Sequence, residues 1–568
     1  MVTKNEYLHN VRHSAAHILA QAVTQLFPGT KMTIGPVTET GFFYDFLPTT
    51  NFKEEDLAHI EQRMHELVKK NYAITGSQVP KADARKLFAD NPFKLEIIDQ
   101  IEGETVGIYY QGEFFDLCRG GHVDAIGEVQ HFKLTGISGS YWRADRDGVA
   151  LQRISGIAFA TREDFDAHLK AIEEAALYDH RRLGKQLELF SFHDEAPGLA
   201  FFHAKGFALY NRLIEFMRSV RGSLFQEIRT PFIMDESLWK TSGHYDFYKK
   251  NMYFTQVDDG MFCLKPMNCP GASMLFRERP HSYRELPMRI AEFGYVHRHE
   301  LSGVLHGLFR VRGFTIDDAH IYCTLDQLQN EIILVLKLAQ RVYTAFNFAT
   351  INIAVSTRPE QAMGSDEDWA RATAALTNAL DTLGLSYIIQ EGEGAFYGPK
   401  IEIKVEDAMG RRWQCGTVQV DFNMPINFDL TYVAADQSRQ RPVMVHQAIY
   451  GSIERFLGII LEHSKGRLPI WLTPIQARVL TITDKQRDYA TDVVNKLQAA
   501  GVRAELDLSH DQISAQIRRA QTDKIPYMLV IGGKEAEAGV VTLRDAEGKQ
   551  QPNMSIDACI ELITSFKV

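Results

Sequence analysis

Two histidines one helical turn apart, His13 and His17, and a cysteine and histidine at the same spacing, Cys118 and His122, are residue types that hold metal ions or move protons. Positions i and i+4 of a helix share a face, so the two imidazoles converge on one point, and a Cys/His pair following a strand can close the same site. Alone, two histidines on a helix face are more often surface or core residues; the second pair is what favours a shared site. The residue after His13 is Ser14, not the glutamate that serves as general base in a helical zinc-peptidase motif, so a peptidase reading loses its main support.

A second group is Arg298-His299-Glu300 with Arg310-Val311-Arg312-Gly313-Phe314. Guanidinium groups there can bind phosphates bidentately, and an aromatic face at Phe314 can stack on a base or an arginine. The competing reading is a solvated, charge-paired strand face. A third group is KPMNCPG (residues 265–271), VRGFTIDDAHIY (311–322) and RPVMVHQAIYGSIERF (441–456). Cys269, His320 and His446 are thiolate and imidazole donors of the kind zinc prefers, and three protein ligands leave a position open. Spacing alone does not bring them together, and each is also compatible with a buried thiol or a hydrogen-bonded imidazole.

The elements that must position these residues are legible from periodicity. Apolar residues recur at helical spacing over 10–25 until Pro28-Gly29 stops the helix, and TIGPVTETGFFYDF and GIYYQGEFFDLCRGGHV read as strands around a helix over about 53–70. Residues 163–183 predict one exposed linker helix ended by Gly184, and 201–224 predict an amphipathic helix running into FQEIRTPFIM. RIAEFGYVHRHE and LFRVRGFTIDDAHIY predict two long antiparallel strands that carry the second group and much of the third, and hence a large antiparallel sheet. The last hundred residues alternate strand and helix in a compact α/β pattern, after a boundary at WLTPIQ.

Composition bounds what such a chain can be. At 568 residues, with 45% hydrophobic and 24% charged residues, it is a multidomain globular protein, not a disordered or fibrous one. Its start has no signal-peptide core and no stretch is long enough for a membrane span, so a cytoplasmic protein without a membrane partner is expected. Six scattered cysteines fit thiols or metal ligands in a reducing compartment. A net charge of −10 excludes blanket electrostatic binding to nucleic acid and confines any such site to a local surface.

Together these strings resemble a known family. Arg298 in a motif-2-like hairpin, GSIERF (451–456) in a motif-3-like helix and the helix and strand ending at Pro231 resemble the class II aminoacyl-tRNA synthetases. KPMNCPG, HGLFRVRGFT-x-DDAHIY, GEGAFYGPKIE, QCGTVQVDF and the opening RHS-x-x-H are similar to the threonyl-tRNA synthetase family, over nearly the whole chain. The resemblance implies an α+β multidomain architecture. Its parts would be an editing domain at 1–160, a linker helix at 161–184, an antiparallel-sheet catalytic domain at 185–469 and an α/β anticodon-binding domain at 470–568. The ubiquitin-like domain with which many relatives begin would be lacking or trimmed.

It implies one zinc ion per subunit on Cys269, His320 and His446, and Mg2+ with ATP. Threonine would be held by Asp318 and Tyr397, and Arg298 would lie on the carboxylate and the α-phosphate. Arg310 and Arg455 would meet the other phosphates, with Phe314 and Glu300 at the adenine. It also implies hydrolysis of seryl-tRNA at His13, His17, Cys118 and His122, through a positioned water and with Asp116 as helper. Glu535 and Arg544 would read anticodon bases of the threonine tRNA, Arg518 and Arg519 would meet phosphates, and the enzyme would be a homodimer. SHDQISAQIRR departs from the more basic stretch usual in the family, and Ile316 replaces a common glutamine. Two other readings compete: a non-catalytic RNA-binding relative, against which the retained Arg298, Arg455 and three metal-type ligands count, and a free-standing metal-dependent hydrolase, against which the phosphate-site motifs count.

Overall fold

The computed structural model describes residues 3–145 and 148–566, and the chain divides into two compact units, Met1–Glu174 and Ala175–Val568. In the first, the leading helix is Lys4–Leu26, longer than the apolar periodicity predicts. The extra turns come from a reciprocal cap: Thr3 Oγ accepts from the Glu6 N–H at 3.2 Å and the Glu6 carboxylate accepts from the Thr3 N–H at 3.4 Å. Val11, Ala15, Ile18, Leu19, Ala22 and Val23 are fully buried in the core this helix shares with a four-stranded antiparallel sheet. That sheet runs Lys31–Met32, Gly41–Leu47, Ala150–Phe159, His131–Tyr141. At about 1.5–3 kcal/mol for each fully buried large aliphatic chain, this face fixes the helix and hence the direction of His13 and His17.

Only Gly41–Leu47 of the expected TIGPVTETGFFYDF strand is a strand; Pro36 has no N–H to give a ladder. A second sheet, Ile74–Pro80, Thr105–Gln111 and Phe114–Leu117, is an antiparallel meander whose last strand delivers Cys118. The helix expected over 53–70 is Asp56–Lys70.

The expected single linker helix over 163–183 is two helices, Arg162–Leu177 and His180–Gln186. The break is Asp179, which caps the second helix by accepting from the Arg181 N–H at 2.8 Å. Gly184 does not end this helix but sits inside it, where a Cβ would lie 2.4 Å from the Phe190 ring. Leu183 and Leu187 are buried in the main core of the second unit.

That core is built on an eight-stranded sheet ordered Gln226–Glu227, Met288–His297, Gly313–Cys323, Val443–Ala448, Arg412–Asp421, Lys400–Glu406, Ile351–Ser356, Tyr387–Gln390. Its six central strands are antiparallel and only its two edge pairings are parallel. The helices Ala204–Arg221, Leu328–Ala345 and Ile453–His463 bring their buried apolar residues into the same core. The two long expected strands pair as predicted, with Glu292 opposite Asp318. They are shorter than read, however: Arg298–Glu300 and Arg310–Arg312 lie in the connection beyond the strand ends. The C-terminal α/β region carries a five-stranded sheet ordered Ala504–Leu506, Ala477–Thr481, Tyr527–Ile531, Val541–Asp545, Gln550–Met554.

Candidate active site

Strand alternation sends Phe314, Ile316, Asp318 and His320 to one face of the Gly313–Cys323 strand, and all four line a cavity of about 660 Å³. Cys269 starts the Cys269–Arg277 helix and His446 lies opposite His320 on the neighbouring strand. The three groups therefore meet: their ligand-type atoms all lie within 4.8 Å of one another, and all three residues are buried. Asp421 Oδ2 accepts from His446 Nε2 at 3.0 Å, which leaves Nδ1 as the lone-pair nitrogen and orients the ring from behind. Burial, then the nearby Asp318 and Asp421 carboxylates, push the Cys269 thiol well above its usual range. A soft, buried S/N/N donor set beside carboxylates suits a divalent cation that accepts thiolate and imidazole ligands.

The same cavity holds three guanidinium groups. Arg298 follows the Met288–His297 strand, lies 5.1 Å from the Phe314 ring and donates Nε to the Pro266 carbonyl at 3.2 Å. Arg455 stands in the first turn of the Ile453–His463 helix, where its backbone N–H meets the Ser452 cap at 3.1 Å, while its buried Nε has no hydrogen-bond partner among the described residues. Arg310 is exposed and pairs with Glu300 at 3.1 Å. Tyr397 donates its hydroxyl to Gln419 Oε1 at 2.6 Å, and Asp318 accepts from Asn268 Nδ2 at 3.1 Å. Arginines, an aromatic face and a metal-type trio in one cavity can neutralise phosphates while holding a small polar ligand.

Sequence reasoning missed His244, Asn268, Gln419 and Asp421. His244 is fully buried, its Nε2 is 4.0 Å from Cys269 Sγ, and burial first, then His446, depresses it to about 3. SGHYDFY carries no spacing signal that could have revealed it. Asn268 sits where it does because residue 294 is glycine: a Cβ there would be 2.1 Å from Asn268 Oδ1.

In the first unit His13, His17, Cys118 and His122 form the second cluster, again with ligand-type atoms within 4.8 Å. The Gly121 carbonyl can only accept, so His13 Nδ1, 3.2 Å away, carries a hydrogen and Nε2 is the lone-pair nitrogen. Cys118 Sγ lies 3.4 Å from that Nε2 and 3.1 Å from His122 Nε2. Burial holds the thiol up at about 11 and His122 down at about 2, with His17 and His13 adding to the latter. Asp116 is buried, and its carboxylate is taken by the Leu117 N–H, the Tyr44 hydroxyl and Lys94. Lys94 and Tyr44 were not singled out from sequence, since a lysine on an amphipathic helix ordinarily reads as surface.

In the C-terminal region Glu535 accepts from the Gly532 N–H at 3.0 Å and the Thr542 hydroxyl at 3.0 Å, capping a short helix. Arg544 lies on the Val541–Asp545 strand with a buried Nε that has no hydrogen-bond partner among the described residues. Arg519 is held by Asp507 and Asp511, each at 2.8 Å, whereas Arg518 is exposed.

A sheet of this order, with an arginine beyond one central strand and another in the helix after the last, is that of a class II aminoacyl-tRNA synthetase. Residues 252–464 match the class II core domain shared by the G, H, P, S and T synthetases, 476–566 an anticodon-binding domain, and 106–155 the second additional domain of threonyl- and alanyl-tRNA synthetases. The chain is 50% identical over 537 residues to the threonine–tRNA ligase of Acetivibrio thermocellus, covering 94% of this chain and 84% of that one, and 47% identical to that of Desulfosudis oleivorans, covering 97% and 87%. It belongs to the threonine–tRNA ligase family. Among solved structures, the RNA binding domain of threonyl-tRNA synthetase from Cryptosporidium parvum is similar at 44% identity and TM-score 0.67, over 68% of this chain and 98% of that one. Giardia lamblia prolyl-tRNA synthetase shares the fold at 16% identity and TM-score 0.53, over 67% of this chain and 75% of that one. Among the described residues no helix is long and apolar enough to cross a membrane.

Proposed function

We propose that the chain attaches L-threonine to its tRNA through a threonyl-adenylate, and that its first unit hydrolyses seryl-tRNA. One observation carries the first part: Cys269, His320 and His446 share a single cavity with Arg298, Arg310 and Arg455. Arg298 and Arg455 would offset charge on the reacting phosphates, Arg310 would hold the outer ones together with Mg2+, and Phe314 and Glu300 would meet the adenine. Asp318 would take the threonine amino group, with Tyr397 beside it. Cys269, His320 and His446 would hold Zn2+, which when bound supplies a Lewis-acid anchor for the amino and hydroxyl groups. In-line attack of the threonine carboxylate on the α-phosphate, which breaks the α–β phosphoanhydride bond and releases pyrophosphate, needs positioning and charge neutralisation more than a protein base.

That arrangement also explains a need for editing. A site that must bond a hydroxyl rejects valine by roughly 10⁴ or more, but serine carries the same hydroxyl, and one missing methyl is worth only about 1–3 kcal/mol. In the second cluster the Nε2 lone pair of His13 can accept a proton from a water attacking the seryl ester and return it to the tRNA ribose oxygen as the ester bond breaks, while His17, Cys118 and His122 orient the water. Asp116, locked to Lys94 and Tyr44, would hold the charge balance behind them. Residues 1–160 would form the editing part, 161–184 the linker, 185–469 the catalytic part and 470–568 the anticodon-binding part of a cytoplasmic homodimer, with Glu535 and Arg544 on the anticodon of the threonine tRNA.

The test is amino-acid-dependent pyrophosphate exchange across a panel of amino acids. Threonine should be activated and Arg298→Ala should lose several kcal/mol of transition-state stabilisation; near-normal exchange by that variant sinks the assignment. His13→Ala with His17→Ala should keep threonylation and accumulate seryl-tRNA, and accumulation equal to the parent's places editing elsewhere.

A further inference from the structure

His180 is completely buried, although no step of the chemistry above uses it. Its two ring nitrogens have partners that fix its tautomer. The Leu308 amide can only donate, and its nitrogen lies 3.0 Å from His180 Nε2, so Nε2 is the lone-pair nitrogen. Nδ1 therefore carries the hydrogen and donates to Glu462 Oε1 at 2.7 Å, the oxygen that also accepts from the His180 backbone N–H at 2.9 Å. The Glu462 carboxylate is paired on its other side with Arg411, which also pairs with Asp407 at 2.7 Å. Asp179, His180 and Glu462 have ligand-type spacing, but both nitrogens and the carboxylate are already engaged, so these bonds describe a strut and not a metal centre.

The strut ends on the connection that carries Arg310. His306 and Arg310 pair across its tip. Phe309 lies 4.1 Å from the His180 ring and 4.3 Å from Trp413. Gly307 takes φ +47, and a Cβ there would stand 2.2 Å from His180 Nε2, so the turn can seat only because this residue has none. Leu308, Phe309 and Arg310 are all part of the cavity wall.

We propose that His180 is a positioning residue for nucleotide binding: by accepting the Leu308 N–H it sets where the 306–310 turn lies, and so where Arg310 meets the phosphates. The inference rests on reading the cavity as an ATP site. The chain from Glu462 through the imidazole to Leu308 also ties that turn to the Ile453–His463 helix that bears Arg455, so two of the three cavity arginines are held in register by one ring.

The test uses the full chain. Affinity for Mg-ATP is measured by calorimetry, and the KM values for ATP and threonine by pyrophosphate exchange, for the parent, His180→Ala and Gly307→Ala. The second variant keeps the imidazole but forces the turn off it, and decides the matter if the first fails to fold. Both variants should weaken Mg-ATP binding and raise the ATP KM roughly tenfold, while the threonine KM stays within about twofold of the parent's, a split that a general loss of stability would not give. ATP affinity within twofold of the parent's, or equal changes for both substrates, overturns the proposal. A parent that binds Mg-ATP but shows no threonine-dependent exchange would instead overturn the functional reading, because the binding arm does not depend on the reaction.

Discussion

Asp421 stands behind His446, its Oδ2 3.0 Å from Nε2, and turns the other imidazole nitrogen into a fixed lone pair. Removing the carboxylate should free that ring without removing a ligand. Asp421→Asn is expected to lower zinc affinity by about 10- to 100-fold, measured by chelator competition, and to raise the threonine KM in parallel. Unchanged zinc affinity would mean that the ring is oriented by its packing against Tyr397, whose centroid is 5.2 Å away.

Ile316 lies in the cavity wall between Phe314 and Asp318, and its backbone bridges to Ser452. A glutamine there could donate a hydrogen bond that isoleucine cannot, worth about 0.5–1.5 kcal/mol net. Ile316→Gln should therefore lower the threonine KM roughly two- to tenfold. A higher value would show that the isoleucine packs against apolar neighbours and that the amide is left unsatisfied.

A fragment starting at residue 178 should unfold at a higher temperature, and activate threonine better, than one starting at residue 185. The later start removes His180 and Leu183, and burying Leu183 in the main core is worth about 1.5–3 kcal/mol. Thermal unfolding and exchange assays on the two fragments check this directly; equal behaviour would make the His180–Gln186 helix dispensable.

The histidine cluster of the first unit should make that unit acid-sensitive. His13, His17 and His122 all titrate below their ordinary value of 6.5 in the folded chain, chiefly through burial, His122 at about 2. Above pH 6.5 the imidazoles are neutral in both states and contribute no slope. Below it the unfolded chain takes up protons that the folded chain refuses, so stability falls as pH drops. Each unit of pH costs about 1.4 kcal/mol per such group until its folded value is reached. Hydrogen-exchange protection of the Lys4–Leu26 helix, corrected for intrinsic rates, should decline between pH 6.5 and 5, and His122→Asn should flatten the decline.

Much of this chain was legible before folding. The 3.6-residue period of the first helix put His13 and His17 on one face, and the twofold period of Gly313–Cys323 put residues 316, 318 and 320 on another. Both are local consequences of backbone geometry, so residue types and spacing determined them. The motifs likewise determined the class, because long strings in a fixed order encode contacts that one sheet must make. What only the tertiary structure decided is which distant groups complete each site. His320 meets His446 because strands separated by more than a hundred residues lie side by side, and the helix that Cys269 starts brings the thiol to them. His244, Lys94 and His180 have no sequence signal, because an isolated polar residue in an amphipathic segment reads as solvated until packing removes its water. Their roles follow from burial that forces each polar atom to find one partner, and the choice of partner is a property of the whole fold.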